Sequence, residues 1–167
     1  MSLVSCLSAR TGMKGSFSSF FCAKYVLLLN PMFGLRKKPV KKMEFEPAPD
    51  VMEIVHEVVG SLPMPHIKLQ NIHTVRSSYS KARAYARVWG TARIFHEAAG
   101  IPPTYVIEVL SHYYDKLPET EKIKVIIHEL MHIPKTFSGA LLSHKGPHHA
   151  INKRTVDKVY ERLSEKG

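Results

Sequence analysis

The reading of this chain turns on residues 119–149, ETEKIKVIIHELMHIPKTFSGALLSHKGPHH, which carry five of its ten histidines. Ile123, Ile126, Ile127 and Leu130 stand at i, i+3, i+4 and i+7, the spacing of one buried helical stripe. Pro118 suits a first turn, where a missing N–H costs little, and Glu119 and Glu121 complement the positive N-terminal end of a helix. Pro134 stops it. The segment predicts a helix of about four turns, with His128 and His132 in its final turns.

Histidines four residues apart share a helix face, one turn above the other, so their imidazoles can take two corners of a zinc tetrahedron. Glu129 projects roughly 100° round the helix from His128. That is poor placement for a ligand, but it leaves the carboxylate within reach of a water at the metal. This is the H-E-x-x-H pattern, in which zinc lowers the pKa of water toward about 7 and the glutamate takes its proton. Ten histidines and eleven glutamates in 167 residues give about 0.04 occurrences by chance, so composition does not account for it.

A catalytic zinc takes three protein ligands and keeps one position open. Lys135 and Ser138 stand where the metzincin pattern requires glycine and histidine, which excludes that class. His144 is the favoured third ligand, because Gly139 allows a sharp turn in KTFSGALLS that carries residue 144 back over the helix end. His148 is the alternative and His149 the third choice. An acidic ligand from the last helix, Asp157 or Glu161, is a further alternative.

Outward from this stretch, residues 43–167 read as one α+β domain: a small mixed β-sheet, the H-E-x-x-H helix and a C-terminal helix. APDVMEIVHEVVGSLP (48–63) predicts a helix capped by Asp50 and ending near Gly60. HIKLQNIHTV (66–75) predicts a strand. In ARAYARVWGTARIFHEA (82–98), Ala84, Ala86 and Val88 alternate with Arg83, Tyr85, Arg87 and Trp89, a strand with a bend at Gly90. Tyr85 and Trp89 read as core. PTYVIEVL (103–110) is a third strand and a candidate edge for pairing with an extended substrate, with an interior position as the alternative. NKRTVDKVYERLSEK (152–166) predicts the last helix, with Val156, Val159, Tyr160 and Leu163 facing inward.

The net charge of +10 is unevenly spread. Residues 1–42 hold eight basic and no acidic residues, whereas 43–167 hold sixteen basic against fourteen acidic, or +2. The basicity belongs to an arm, and nucleic acid is a partner that such an arm could serve. Its apolar run FFCAKYVLLLNPMF is split by Lys24 and ended by Asn30-Pro31, short of the roughly 20 residues a spanning helix needs. No small-residue cleavage site follows it, so a signal peptide is disfavoured and no membrane role is expected. The arm reads as poorly ordered, with Met43 a candidate start of the working protein. Both cysteines, Cys6 and Cys22, lie in it; a core without cysteine suits the cytoplasm.

AYARVWG, YVIEVLS, KIKVIIHELMHIPKTFSGALLSHKG and NKRTV together resemble an uncharacterised metallopeptidase family found in archaea and some phages, over most of 43–167. The resemblance implies a zincin-like α/β fold, zinc on His128, His132 and a later histidine, and Glu129 as general base. A looser similarity to SprT-like proteases, which place a third histidine just before a glycine, supports His144, although Lys145 intervenes before Gly146. The expected activity is hydrolysis of peptide bonds in a peptide or protein. Tyr113, Tyr114 and Arg154 are candidates for stabilising the oxyanion. Two other functions fit the residues: a non-catalytic binding module stabilised by zinc, and a zinc hydrolase acting on a non-peptide amide.

Overall fold

The computed structural model describes residues 41–146 and 149–165, with His149 described by its backbone alone. The expectations for residues 1–40, for His148 and for the side chain of His149 lie outside the described residues. The fold is α+β, built on a four-stranded mixed sheet of β1 (Glu44–Pro47), β2 (Ile72–Ser78), β3 (Ala86–Gly90) and β4 (Tyr105–Leu110) in the order β1-β2-β4-β3. β2 and β4 run parallel, with Ile72 opposite Tyr105; the other two pairings are antiparallel.

β4 therefore lies inside the sheet, and β3 is the edge strand beside it. This corrects the candidate edge role of TYVIEVL. The strand's composition explains why: Tyr105, Ile107 and Val109 are fully buried on one face, while Glu108 and Leu110 are buried on the other. A strand covered on both faces reads as a near-continuous apolar run, as this one does.

α1 (Pro49–Ser61) and α4 (Glu119–Met131) pack together and against the sheet, on β2 and β3 respectively. Val51, Val55 and Val58 from α1 meet Ile126, Ile127 and Leu130 from α4 in one core with Tyr105, Ile107 and Val109. Each such side chain contributes roughly 1.5–3 kcal/mol of burial, so this cluster fixes α4 beneath the strands. α5 (Lys153–Ser164) lies against α4, buries Val156 and Leu163, and leaves Val159 and Tyr160 partly buried. Asn152 starts α5 with a reciprocal capping box: its side chain accepts from the Thr155 N–H, and its own N–H donates to Thr155 Oγ1.

Other local expectations shift. α1 begins after Ala48 with Pro49 at its first position, so Asp50 sits in the first turn, where its carboxylate pairs with Arg76 at 2.7 Å instead of capping. The strand expected from residue 66 starts only at Ile72, because Leu69–Asn71 form a 3-10 turn first. Beyond Gly90 the chain forms α2 (Arg93–Ala99), which buries no side chain and ends at Gly100 with φ of 64°. A short helix, α3 (Ser111–Tyr114), follows β4. β5 (Lys145–Gly146) and β6 (His149–Ala150) form a small antiparallel pair before α5. Among the described residues, no helix is long and apolar enough to cross a membrane.

Candidate active site

The apolar stripe of α4 faces the core, which turns His128, Glu129 and His132 toward the edge strand and the following loop. α4 ends at Met131, so His132 is its C-cap residue, still in helical conformation with φ of −74° and ψ of −14°. The His132 N–H bonds the Glu129 carbonyl at 3.2 Å and the Ile133 N–H bonds Leu130 at 3.1 Å before Pro134 ends the turn. The spacing of four is thereby kept across the helix end, and the two imidazoles stand 5.0 Å apart between ring centres.

The loop after Pro134 brings His144 to them. Four contacts hold it. Tyr105 Oη accepts the Gly139 N–H at 2.9 Å and donates to the Ala140 carbonyl at 3.0 Å. Phe137 packs edge-on against the same ring at 4.9 Å. The Leu142 N–H bonds the His132 carbonyl at 2.8 Å. Gly139 takes φ of 81°, and a Cβ there would meet the Thr91 carbonyl and the His96 ring. Gly90 is needed for the same reason, since a side chain on it would strike the Gly139 carbonyl.

His128 Nε2 lies 3.2 Å from His144 Nε2 and 3.3 Å from His132 Nε2, and the three donor atoms all lie within 4.8 Å of one another. Nitrogens held tetrahedrally at about 2.0–2.1 Å from zinc stand roughly 3.3 Å apart, so the two short spacings are those of tetrahedral corners. The Leu142 carbonyl, 2.6 Å from His132 Nδ1, can only accept. It therefore fixes the proton on Nδ1 and leaves Nε2 a lone pair, as an outer partner of a metal-binding histidine does. Burial, and then the neighbouring His132 and His144, push the His128 pKa down to about 4, so its ring is neutral at pH 7. Three imidazoles with converging nitrogens suit a divalent cation better than protons, because one proton can bridge only one pair. The donor set fits a metal ion.

Glu129 points inward, 8% exposed, toward the edge strand. Burial pushes its pKa up to about 7, and the Val88 N–H, which bonds the carboxylate, works the other way. A carboxylate poised near neutrality suits general-base work. Glu129, the three histidines, Leu141, Leu142 and residues 86–89 of β3 line a cleft of about 560 Å³.

The β3 wall of this cleft was not legible as such. Trp89 and Tyr85, expected in the core, are 52% and 49% exposed. The alternation in this strand is real, but the face opposite the core stays open at a sheet edge. Trp89 Nε1 donates to Glu108 Oε2 at 2.8 Å, and Arg87 Nη2 donates to Glu108 Oε1 at 3.2 Å. Glu108 is only 2% exposed. An acidic residue inside an apolar β-strand was the available signal, since such a group needs partners from the neighbouring strand.

Other candidates fall elsewhere. Asp157 pairs with Lys124 at 2.9 Å, Glu161 is exposed, and neither joins the histidine cluster. Tyr113 packs against Tyr85 and His112 and does not line the cleft. Tyr114 is buried in the core, which raises its pKa, with Asp50 and Glu119 adding to the effect. Arg154 is an exposed residue of the first turn of α5 and also lies off the cleft. Among the described residues, Arg87 is the only basic one, apart from the histidines, that lines it.

A small mixed sheet over a helix that presents H-E-x-x-H, with a third histidine returned by the next loop, defines a zincin-like metallopeptidase. Residues 43–163 match the family model described as "Putative phage metallopeptidase". The chain belongs to that family, and the family's activity is that of a hydrolase. No curated protein and no solved structure matches it.

Proposed function

We propose that the chain is a zinc-dependent peptidase with His128, His132 and His144 as the metal ligands and Glu129 as the general base. The observation that carries this is the tetrahedral spacing of the imidazole nitrogens beside a buried carboxylate in one cleft. Zinc at that position supplies Lewis-acid polarisation of a carbonyl and lowers the pKa of water. Glu129, fixed by burial and the Val88 N–H, accepts the proton of the attacking water and returns it to the leaving nitrogen.

The edge of β3 offers a place for an extended chain. Tyr85 pairs with Leu110 and Thr91 with Thr104 across β4. Alternation along an antiparallel pair then turns the backbone groups of Ala86 and Val88 outward, toward the cleft. An open cleft along a strand edge favours a peptide over a small amide. On this reading the three described donors hold the metal and a fourth position stays open for water. The cytoplasm suits this reading, since residues 43–167 contain no cysteine.

The test is elemental analysis of the purified full chain together with peptide hydrolysis. The parent should hold about one zinc, and His144→Ala should lose it. Glu129→Gln should keep the metal and lose hydrolysis. A parent protein that takes up no zinc after supplementation, or a Glu129→Gln variant as active as the parent, overturns the proposal.

A further inference from the structure

Glu108 is a carboxylate at 2% exposure in the middle of the sheet, and nothing in the proposed hydrolysis uses it. Burial of a charge is unfavourable unless the group is paired and hydrogen-bonded. Both of its oxygens are engaged, Oε1 by Arg87 and Oε2 by Trp89, and both partners line the catalytic cleft. Glu108 thus neutralises the only non-histidine cation among the described residues of the cleft wall and holds the indole by its only polar atom.

Trp89 is half exposed although its N–H is satisfied inside, so its exposed surface is carbon, carried on the Glu108 face of the β3 edge that lines the cleft. The Arg87 guanidinium lies over the ring at 5.4 Å from its centre and supports it further. Leu141, 44% exposed, lines the same cleft from the histidine-bearing loop. A large, rigid aromatic wall with an exposed leucine in the same cleft is chemistry for an apolar side chain; an acidic one would find Arg87 already paired.

We propose that the cleft selects extended peptides carrying a large apolar side chain, seated against Trp89 and Leu141, with Glu108 as the positioning residue that fixes the indole. This rests on the peptidase reading of the same site and adds its substrate class. Partial burial of a leucine side chain there corresponds to roughly a fivefold to tenfold preference over serine.

Trp89 is the only tryptophan in the chain, so its emission reports on this wall alone. Zinc-loaded full-length Glu129→Gln protein would be titrated with alanine-based peptides carrying leucine, serine or aspartate at each position in turn. Leucine in one register should bind roughly fivefold to tenfold more tightly than serine and shift the emission, with aspartate no better than serine. In the active parent background, Trp89→Ala should bring the leucine-to-serine ratio of kcat/KM close to one at unchanged zinc content. Glu108→Gln should raise KM for the leucine peptide more than for the serine peptide, leave kcat in place and lower the tryptophan anisotropy. Equal affinity for leucine and serine, or a preference for aspartate, overturns the proposal. Hydrolysis without leucine preference overturns it while leaving the peptidase reading intact. Leucine-selective binding with an emission shift, in a chain whose parent cleaves no peptide, supports the wall and removes the peptidase reading. No binding and no cleavage removes both.

Discussion

Tyr105→Phe deletes one oxygen atom from the interior and tests how the third histidine is held. The parent hydroxyl accepts the Gly139 N–H at 2.9 Å and donates to the Ala140 carbonyl at 3.0 Å, within the loop that delivers His144. Phenylalanine keeps the ring and its contact with Phe137 at 4.9 Å. Each hydrogen bond contributes about 0.5–1.5 kcal/mol, and a buried donor left without a partner costs about 1–3 kcal/mol. The Gly139 N–H becomes such a donor, so the expected loss is about 2–3 kcal/mol. In urea this lowers the unfolding midpoint by roughly 1 M. If half of the loss reflects release of the loop, the affinity of the proposed zinc site falls roughly tenfold, since about 1.4 kcal/mol corresponds to a factor of ten. Urea unfolding of the metal-free protein and competitive zinc titration read the two effects separately. A midpoint and an affinity equal to the parent's refute the anchoring argument; a lowered midpoint with unchanged affinity refutes the part that concerns His144.

Three further outcomes follow from named contacts. Gly139→Ala places a Cβ against the Thr91 carbonyl and the His96 ring at φ of 81°; it should cost more than about 1 kcal/mol in a thermal melt and weaken zinc binding in the same titration. Asp50→Asn should cost at most about 1 kcal/mol at pH 7, because the Arg76 pair is partly exposed. Arg76 holds the Asp50 carboxyl below the usual carboxylate range; the pair's contribution is present above the unfolded pKa of about 3.9 and is lost as pH falls through the lower folded value. Parent and variant melts should therefore converge in acid, and a difference that persists there contradicts the assignment. On the proposed zinc site, free metal at 100 times its Kd stabilises the fold by about 2.7 kcal/mol, so a chelator should lower the melting temperature of the loaded parent and leave that of His128→Ala unchanged.

The parts of this fold legible in the sequence are those set by short-range periodicity. α4 could be read because Ile123, Ile126, Ile127 and Leu130 repeat with the helical period, and the H-E-x-x-H spacing rides on that helix. β4 could be read as a strand from its β-branched run. Its place inside the sheet depends on pairing with residues about thirty positions earlier in β2 and twenty earlier in β3, which no local pattern encodes. Trp89 was misplaced for a related reason: alternation identifies two faces but not which of them is covered. α2 escaped notice because it buries nothing and has no side-chain cap, so neither periodicity nor a start signal marks it.

The strand order ties these misreadings to the chemistry. Because β3 is the edge, its Val88 N–H is free of the ladder and bonds Glu129. Because β4 is interior, Glu108 is enclosed and draws Trp89 and Arg87 onto one side of the cleft. Because β3 ends at Gly90, the Gly139 segment can close against it and carry His144 to the helix. With β4 at the edge instead, the three histidines could still be spaced for a metal, but the carboxylate would lose its backbone donor and the cleft its aromatic wall. The proposed metal-binding geometry is thus a property of α4 and its loop, whereas the proposed base role of Glu129 and choice of substrate are properties of the sheet edge. Substitutions in the two regions should separate accordingly, with α4 and loop variants changing zinc content and β3 variants changing turnover and selectivity at constant zinc.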